Sequence, residues 1–186
     1  MTTERPTRSP AQRTVRRGGF LALGGLLTWA IVGVPFFVFP KVDPVPKHAD
    51  VVVVLGPPRW ERVSIAKHLL AEGRVDAALI SVPGDAETWG LTTFCTRPHV
   101  TCFHPTPTTT RGEAHALRRY ATEYGWTTAV VTTMPAHIAR ARTIIDRCFP
   151  GTVSMVADRE NAFAGLAFSY AYQTAATVKA WILQGC

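Results

Sequence analysis

The chain has 186 residues, 47% of them hydrophobic, and a formal net charge of +7. This hydrophobic share excludes a chain that is disordered throughout, and the length allows one domain of ordinary size with an appendage. Five arginines stand among residues 1–18 against one acidic residue, Glu4, so they supply most of the net charge. Positive charge concentrated at one end indicates a membrane-topology signal and argues against a nucleic-acid-binding surface.

An uncharged and mostly apolar segment, residues 19–40, follows the basic tail. Its length is about that of a bilayer-spanning helix, which needs roughly 20 residues. A cleaved signal peptide would need a small-x-small cleavage site, which is missing. A twin-arginine export signal is suggested by Arg16-Arg17 but lacks the same site, and a buried core helix would not carry arginines at one end only. The pattern therefore favours an uncleaved, single-pass anchor.

The arginines predict a cytoplasmic N-terminus, which places the rest of the chain outside the plasma membrane. We interpret residues 1–18 as a basic cytoplasmic tail and residues 19–40 as a transmembrane helix in contact with the lipid bilayer. Residues 41–48 are rich in proline, which predicts a stiff spacer that lifts the following domain off the membrane. Residues 49–186 are then the folded domain.

The chain has four cysteines, and no two of them have the close Cys-x-x-Cys spacing of metal sites. An even number fits disulfides formed outside the cytoplasm. Of the three possible pairings we favour Cys95–Cys102, which closes a small loop, together with Cys148–Cys186. The alternative is four unrelated buried thiols in a cytoplasmic protein.

Short apolar runs alternate with amphipathic segments through the domain. The first run, residues 49–56, has four consecutive valines and ends at Gly56 and two prolines, which is typical of a strand buried on both faces at the centre of a sheet. Further strands are predicted at residues 77–82, 100–103, 128–132 and 153–156. Helices are predicted at residues 60–73, 110–124, 135–148 and 160–183, while residues 86–97 are weakly patterned.

Strands that alternate with helices predict a parallel sheet with right-handed crossovers. We expect a three-layer, Rossmann-like α/β domain with a parallel sheet of about five strands in the order 3-2-1-4-5, preceded by one N-terminal transmembrane helix. Residues 161–178 of the last helix carry no charge, so a second membrane span is an alternative, but their hydroxyl and amide groups favour a largely buried terminal helix. In this strand order, ligands bind at the ends of strands one and four.

His137 and Arg140 follow the fourth strand at the start of the next helix. A spacing of three residues puts them on one helix face, and the helix N-terminus adds free N–H groups and partial positive charge. This combination suits a phosphate or a carboxylate. The alternative is two ordinary surface side chains on an amphipathic helix.

Thr110 and Glu113 open the helix that precedes the fourth strand. The pattern Thr-x-x-Glu fits a capping box, which needs no function. In the functional interpretation both side chains lie at the ligand-binding edge of the sheet. Glu113, or His137, would then act as the acid or base of a reaction.

Further residues at the strand ends complete the predicted ligand site. They are Gly56 after strand one, Ser81 at the end of strand two, Thr132 at the end of strand four, and Arg59 and Arg62 at the start of the first helix. Each arginine could hold an anion or be an ordinary solvated side chain. The prolines after Gly56 donate no N–H, so the loop is not a glycine-rich phosphate cradle. The sequence shows no metal signature and predicts no cofactor.

Taken in order, several of these elements resemble the YdcF/SanA/ElyC-like family (domain of unknown function 218) over about residues 49–157. The resemblance rests on the strand Asp50–Gly56, Arg62, Ser81, Thr110-x-x-Glu113-Ala114, and Val131-Thr132 running into His137-x-x-Arg140-Ala141. It implies an N-terminal membrane anchor followed by a Rossmann-like domain. It also implies a role in envelope barrier function and in the handling of envelope polysaccharide or lipid-linked carriers, and, by likeness to a cytoplasmic member, nucleoside-cofactor binding.

The chain departs from the family pattern in three places. The glycines that usually follow strand one are Pro57-Pro58 here, the glycine pair after strand two is reduced to Val82-Pro83-Gly84, and the Asn of the Thr–Glu motif is absent. The first two losses weaken the case for a nucleotide cradle. The His–Arg and Thr–Glu elements are present in this chain, and they remain consistent with an anionic ligand.

We therefore expect a membrane-anchored cell-envelope protein whose extracytoplasmic domain binds or processes a phosphate-bearing ligand. Glu113 or His137 would be the acid or base, and the arginines would hold the phosphate. One alternative is a non-catalytic scaffold or regulator of an envelope complex. The other is a protein that binds a nucleoside cofactor similar to S-adenosylmethionine.

Overall fold

The computed structural model of the chain describes residues 10–158 and 166–186. Residues 1–9 of the basic tail, and the predicted start of the last helix at Glu160, lie outside the described residues. The first helix, α1 (Pro10–Phe37), contains a stretch, Gly18–Phe37, that is long and apolar enough to cross a membrane. A signal sequence near the N-terminus has the same features, so this stretch is a candidate span without an assigned orientation.

Alternating strands and helices follow α1, as predicted. The strands are β1 (Ala49–Val54), β2 (Val75–Ser81), β3 (Val100–Phe103), β4 (Thr128–Thr133) and β5 (Thr152–Ala157). The helices are α2 (Trp60–Ala71), α3 (Thr92–Cys95), α4 (Thr110–Tyr124), α5 (Ile138–Cys148) and α6 (Leu166–Ile182), with a 3₁₀ helix at Pro135–His137 before α5. The weakly patterned region thus contains the short helix α3.

The five strands form one parallel sheet in the order β3-β2-β1-β4-β5, which confirms the predicted order. The valines of β1 are fully buried and alternate between the two faces of the sheet. Val51 and Val53 belong to a core shared with α4, α5 and α6, whereas Val52 and Val54 belong to a core shared with α2 and α3. Helices therefore cover both faces, and the three-layer α/β fold is confirmed.

The segment between α1 and β1 lies along the domain. Asp43 donates its N–H to the Met155 carbonyl and accepts hydrogen bonds from the Met155 N–H and from Arg142. Arg74 donates to two further carbonyl groups of the segment, and α1 itself packs on α5 and α6. The proline-rich segment is extended, and these contacts fasten it to the domain surface. Its role as a spacer between the membrane and the domain stays a prediction.

The last helix, α6, buries only one of its faces. Its buried side chains recur at the spacing of one helix face: Tyr170, Gln173, Thr177 and Ala180. Its exposed face carries large apolar side chains: Val178, Trp181 and Ile182. The prediction of a largely buried terminal helix is therefore right for one face of α6 and wrong for the other.

The cysteines form the two disulfides that we favoured. Cys95 is joined to Cys102, and Cys148 to Cys186. The second disulfide fastens the end of the chain, after α6, to the end of α5. All four cysteines are paired, so the chain has no free thiol.

Asp50 ties β1 to the start of β4. Its carboxylate accepts hydrogen bonds from the N–H and hydroxyl groups of Thr127 and Thr128. Burial raises the pKa of this carboxyl, but the hydrogen bonds outweigh burial, so the pKa lies below its ordinary value of 3.8. A carboxyl with a lowered folded-state pKa stabilises the fold above its unfolded pKa, and that stability is lost as the pH falls through the folded-state pKa.

We expect Asp50→Asn to lower the free energy of unfolding at pH 7 by about 1 kcal/mol, because an amide accepts these bonds less well and Asp50 is partly exposed. The difference between the two chains should shrink as the pH falls below 3.8. Urea unfolding at several pH values measures it. A difference that stays constant down to the lowest pH would show that ionised Asp50 does not contribute in this way.

Candidate functional site

A cavity of about 580 Å³ lies at the carboxyl ends of β1, β2 and β4. It is lined by residues at these strand ends, by the start of α4, by α5 and by one flank of α6. This is the place where the strand order reverses, at which open α/β sheets bind their ligands. Six of the predicted site residues line the cavity: Gly56, Ser81, Thr110, Glu113, His137 and Arg140.

Glu113 is buried beside the cavity and reaches the end of β1. Its Oε1 accepts a hydrogen bond of 2.6 Å from the Gly56 N–H. A Cβ atom at position 56 would lie only 3.1 Å from Ser81 Oγ and 3.2 Å from Glu113 Oε1. Glycine at this position therefore leaves room for the carboxyl group to approach the backbone.

Burial raises the pKa of Glu113 above its ordinary value of 4.5. The Ser81 hydroxyl, the Gly56 N–H and the guanidinium groups of Arg140 and Arg62 offset this only in part. Ser81 Oγ lies beside the carboxyl, yet it forms no hydrogen bond of good geometry with the described residues. A carboxyl whose pKa is shifted towards neutrality by burial is suited to donating and accepting a proton.

His137 is buried and is held at both ring nitrogens. Its Nδ1 lies 2.9 Å from Thr133 Oγ1, and its Nε2 lies 3.2 Å from Thr110 Oγ1. Burial, together with the positive charges of Arg140 and Arg62, lowers the pKa of His137 well below 6.5, so the imidazole is neutral at neutral pH. Because Arg140 already donates to Thr110 Oγ1, the Thr110 hydroxyl can donate to Nε2, which favours a ring proton on Nδ1.

Arg140 brings a fixed positive charge to the cavity. Its Nε donates to Gln173 Oε1 at 2.9 Å and its Nη1 donates to Thr110 Oγ1 at 3.3 Å. A guanidinium has five N–H donors, so these two bonds with described residues leave others for a ligand. The N-terminus of α4 reaches the same cavity and adds partial positive charge.

The start of α4 differs from the predicted capping box. The helix begins at Thr110 and its N-cap is Thr109, whose Oγ1 accepts from the Gly112 N–H. The Glu113 carboxyl binds the Gly56 N–H instead of returning to the helix start. The capping-box prediction is therefore wrong, and the Glu113 carboxyl belongs to the cavity.

Three predicted ligand-binding residues are not among the described residues that line the cavity. Arg59 is exposed ahead of α2, and Thr132 is buried in β4 with no hydrogen-bond partner for its hydroxyl among the described residues. Arg62 is only 1% exposed, forms an ion pair with Asp158, and donates to two carbonyl groups after β1. Arg62 therefore supports the loop beside the cavity instead of contacting a ligand.

The site also contains residues that the sequence did not predict. From α6, Gln173 holds Arg140, and Tyr172 and Lys179 line the cavity. Asp158 is the unpredicted partner of Arg62. The sequence offered only weak signals for these residues. Gln173 and Lys179 are the one side-chain amide and the one charged group of α6, and Asp158 is a single acid after a strand.

The cavity combines anion-binding groups with groups that can carry a proton. Arg140 and the N-terminus of α4 suit a phosphate or another anion. Glu113, with its raised pKa, is suited to general acid–base chemistry, and the neutral His137 ring can accept a hydrogen bond at Nε2 from the Thr110 hydroxyl. The geometry is therefore that of an anion site with acid–base capability.

Comparisons with protein-family models, with curated proteins and with solved structures find no match to this chain. The sheet order and the cavity therefore stand on the structure alone. Membership of the YdcF/SanA/ElyC-like family stays a prediction.

Proposed function

We propose that this chain is a membrane-anchored cell-envelope protein whose extracytoplasmic domain binds or processes a phosphate-bearing ligand in the strand-end cavity. The observation that carries the proposal is the placement of Arg140. Gln173 and Thr110 fix its guanidinium beside the N-terminus of α4. A fixed guanidinium next to a helix N-terminus is a favourable arrangement for a phosphate group.

Glu113 and His137 supply the chemistry that a reaction on such a ligand needs. The raised pKa of Glu113 keeps its protonated form populated to a higher pH than in an ordinary carboxyl, which suits a general acid. Neutral His137 can accept a hydrogen bond from the Thr110 hydroxyl, which lies 3.2 Å away. Arg140 would stabilise the negative charge that develops on a phosphoryl oxygen.

The membrane part of the proposal rests on Gly18–Phe37 and on the charge before it. This helix has the length and composition of a span, and the arginines that precede it favour a cytoplasmic N-terminus. The two disulfides support an oxidising compartment for the domain. The assignment to the cell envelope, and to polysaccharide or lipid-carrier ligands, rests on the family resemblance.

The alternatives make different demands on the molecule. A cytoplasmic protein that binds a nucleoside cofactor would keep its cysteines reduced, and the prolines after Gly56 offer the cofactor no backbone N–H donors. A non-catalytic scaffold would not depend on the cavity residues. Ligand binding through Arg140 therefore separates the proposal from both alternatives.

We expect the full chain in detergent micelles to gain thermal stability with inorganic phosphate or with phosphomonoesters. At a ligand concentration a hundred times its dissociation constant, the gain is about 2.7 kcal/mol. Arg140→Gln should weaken binding by about 10- to 100-fold, because it removes charge-assisted hydrogen bonds. Thermal shifts with a series of sugar phosphates, polyprenyl phosphates, nucleotides and S-adenosylmethionine would identify the ligand class.

Arg118→Gln is the matched control. Arg118 is exposed on α4 and does not line the cavity, so this substitution removes the same charge at a distance from the site. Its ligand-induced shift should equal that of the native chain. Equal binding in the Arg140 and Arg118 variants would contradict a site at Arg140. If none of the phosphates tested raises the thermal stability, the result would favour the scaffold hypothesis.

A further inference from the structure

The exposed face of α6 is apolar. Its large side chains are Val178, Trp181 and Ile182, of which Ile182 is 72% exposed. Lys179 is the one charged residue of the helix. A contiguous exposed surface of aromatic and aliphatic side chains marks a contact with a membrane or a protein.

The start of α6 is fastened to the C-terminal half of α1. The Tyr170 hydroxyl donates to the carbonyl groups of Trp29 and Ala30, and Trp29 Nε1 donates to Thr174 Oγ1. The Trp29 and Tyr170 rings pack edge to face with their centroids 4.9 Å apart. Trp29 precedes the end of α1 by about 12 Å of helix axis. With α1 as the membrane span, the start of α6 lies at the depth of the outer leaflet.

The apolar surface is continuous from α1 to α6. A groove between them is lined by Trp29 and Val32 from α1 and by Val178 and Trp181 from α6. A second protein would have to match the shape of this groove, whereas lipid already surrounds α1 in the proposed topology and adapts to either surface.

We propose that α6 is an interfacial membrane helix whose exposed face contacts the outer leaflet of the bilayer beside α1. Another flank of α6 lines the strand-end cavity with Tyr172, Gln173 and Lys179. In this placement the cavity lies close to the membrane. The inference rests on the membrane anchoring in the proposed function and adds a second bilayer contact to it.

The test uses single spin labels on the full chain reconstituted into phosphatidylcholine–phosphatidylglycerol vesicles. Because the native cysteines are all paired, one introduced cysteine gives one labelled site. The sites are Ile182→Cys on α6, Leu26→Cys on the exposed surface of α1, and Ala71→Cys at the exposed end of α2, on the opposite face of the sheet. Collision rates with oxygen, which concentrates in lipid, and with a water-soluble nickel chelate locate each label.

We expect the labels at positions 26 and 182 to collide mainly with oxygen and the label at position 71 mainly with nickel. If the label at position 26 is in lipid but the label at position 182 is in water, the interfacial-helix proposal is contradicted and the membrane anchor is still supported. Labels in water at both positions would overturn the anchoring as well. A label at 182 that is shielded from both reagents would mean that a protein or a second copy of the chain covers α6, and would also overturn the inference. Phosphate binding by Arg140 is measured separately and is independent of these outcomes.

Discussion

Replacing Arg62 with alanine is expected to lower the free energy of unfolding by about 3–5 kcal/mol, the usual cost of removing one partner of a buried ion pair. Arg62 Nε donates to Asp158 Oδ2 at 2.7 Å, and the two side chains are 1% and 6% exposed. Without the guanidinium, the Asp158 carboxylate is left buried without its counter-ion. Two carbonyl groups after β1, those of Leu55 and Pro57, lose a donor as well. Urea unfolding of the full chain in micelles measures the loss.

Two further variants separate the ion pair from a general effect of mutation. Arg59→Ala removes an exposed arginine three residues away and should change the free energy of unfolding by no more than about 0.5 kcal/mol. A double variant, Arg62→Met with Asp158→Leu, removes both charges and should be more stable than Arg62→Ala alone. A loss below about 1 kcal/mol for Arg62→Ala would contradict the description of a tightly buried pair.

The sheet could be predicted from the sequence because its signal is local. The four valines before Gly56 have the length and bulk of a strand buried on both faces, and each later strand is separated from the next by a helical pattern. Right-handed crossovers then leave few possible strand orders. The predicted order and the two disulfides are both found in the structure.

The site could be predicted only in part, because its remaining contacts are distant in sequence. Glu113 and His137 follow from their positions at strand ends, but Arg62 and Asp158 are 96 positions apart in sequence, so no local pattern indicates that pair. The role of Gln173 depends on where α6 packs, which the helical pattern alone does not determine. The capping-box prediction for Thr110-x-x-Glu113 was wrong for a different reason. Thr109, one residue earlier, has a hydroxyl that can cap the helix in the same way, and it is the N-cap in the structure.

The contacts of the predicted spacer with the domain could not be predicted either. Proline content correctly indicates an extended segment, yet it does not indicate whether that segment is free or bound. Asp43 is a single acid with no pattern around it, and its contacts with Met155 and Arg142 fasten the segment to the domain. The contacts that place α6 beside α1, between Trp29 and Tyr170 and between Trp29 and Thr174, are likewise distant in sequence.

Glu113→Gln is expected to remove the pH dependence of anion binding in the cavity. In the native chain, Glu113 ionises as the pH rises through its raised pKa, which adds negative charge near Arg140. Sulfate affinity should therefore fall by up to about tenfold per pH unit over that range. Glutamine stays neutral, and its Oε1 can still accept from the Gly56 N–H. Sulfate is the suitable probe because its own charge is constant from pH 4 to pH 8, and isothermal titration over this range measures the affinity.

Glu113→Gln should also change the free energy of unfolding, with a pH dependence opposite in sign to that of Asp50→Asn. Burial raises the pKa of Glu113 in the folded state above its ordinary value of 4.5. The stability that Glu113 contributes is therefore fully present below the unfolded pKa and is lost as the pH rises through the folded-state pKa. Glu113→Gln should accordingly be more stable than the native chain at pH 8, with the advantage disappearing towards pH 4. Urea unfolding at both pH values checks the sign.

Glu123→Gln provides the matched control, since Glu123 is exposed on the same helix and loses the same charge outside the cavity. It should keep the pH dependence of sulfate binding. A native chain whose sulfate affinity does not change with pH would show that Glu113 does not ionise beside the bound anion. If the chain is an enzyme that uses Glu113 as acid or base, Glu113→Gln should also lose about 10²- to 10⁴-fold in rate while binding anions more tightly. A scaffold would keep its cellular role in the same variant, because its partners contact the outer faces of the domain and not the cavity.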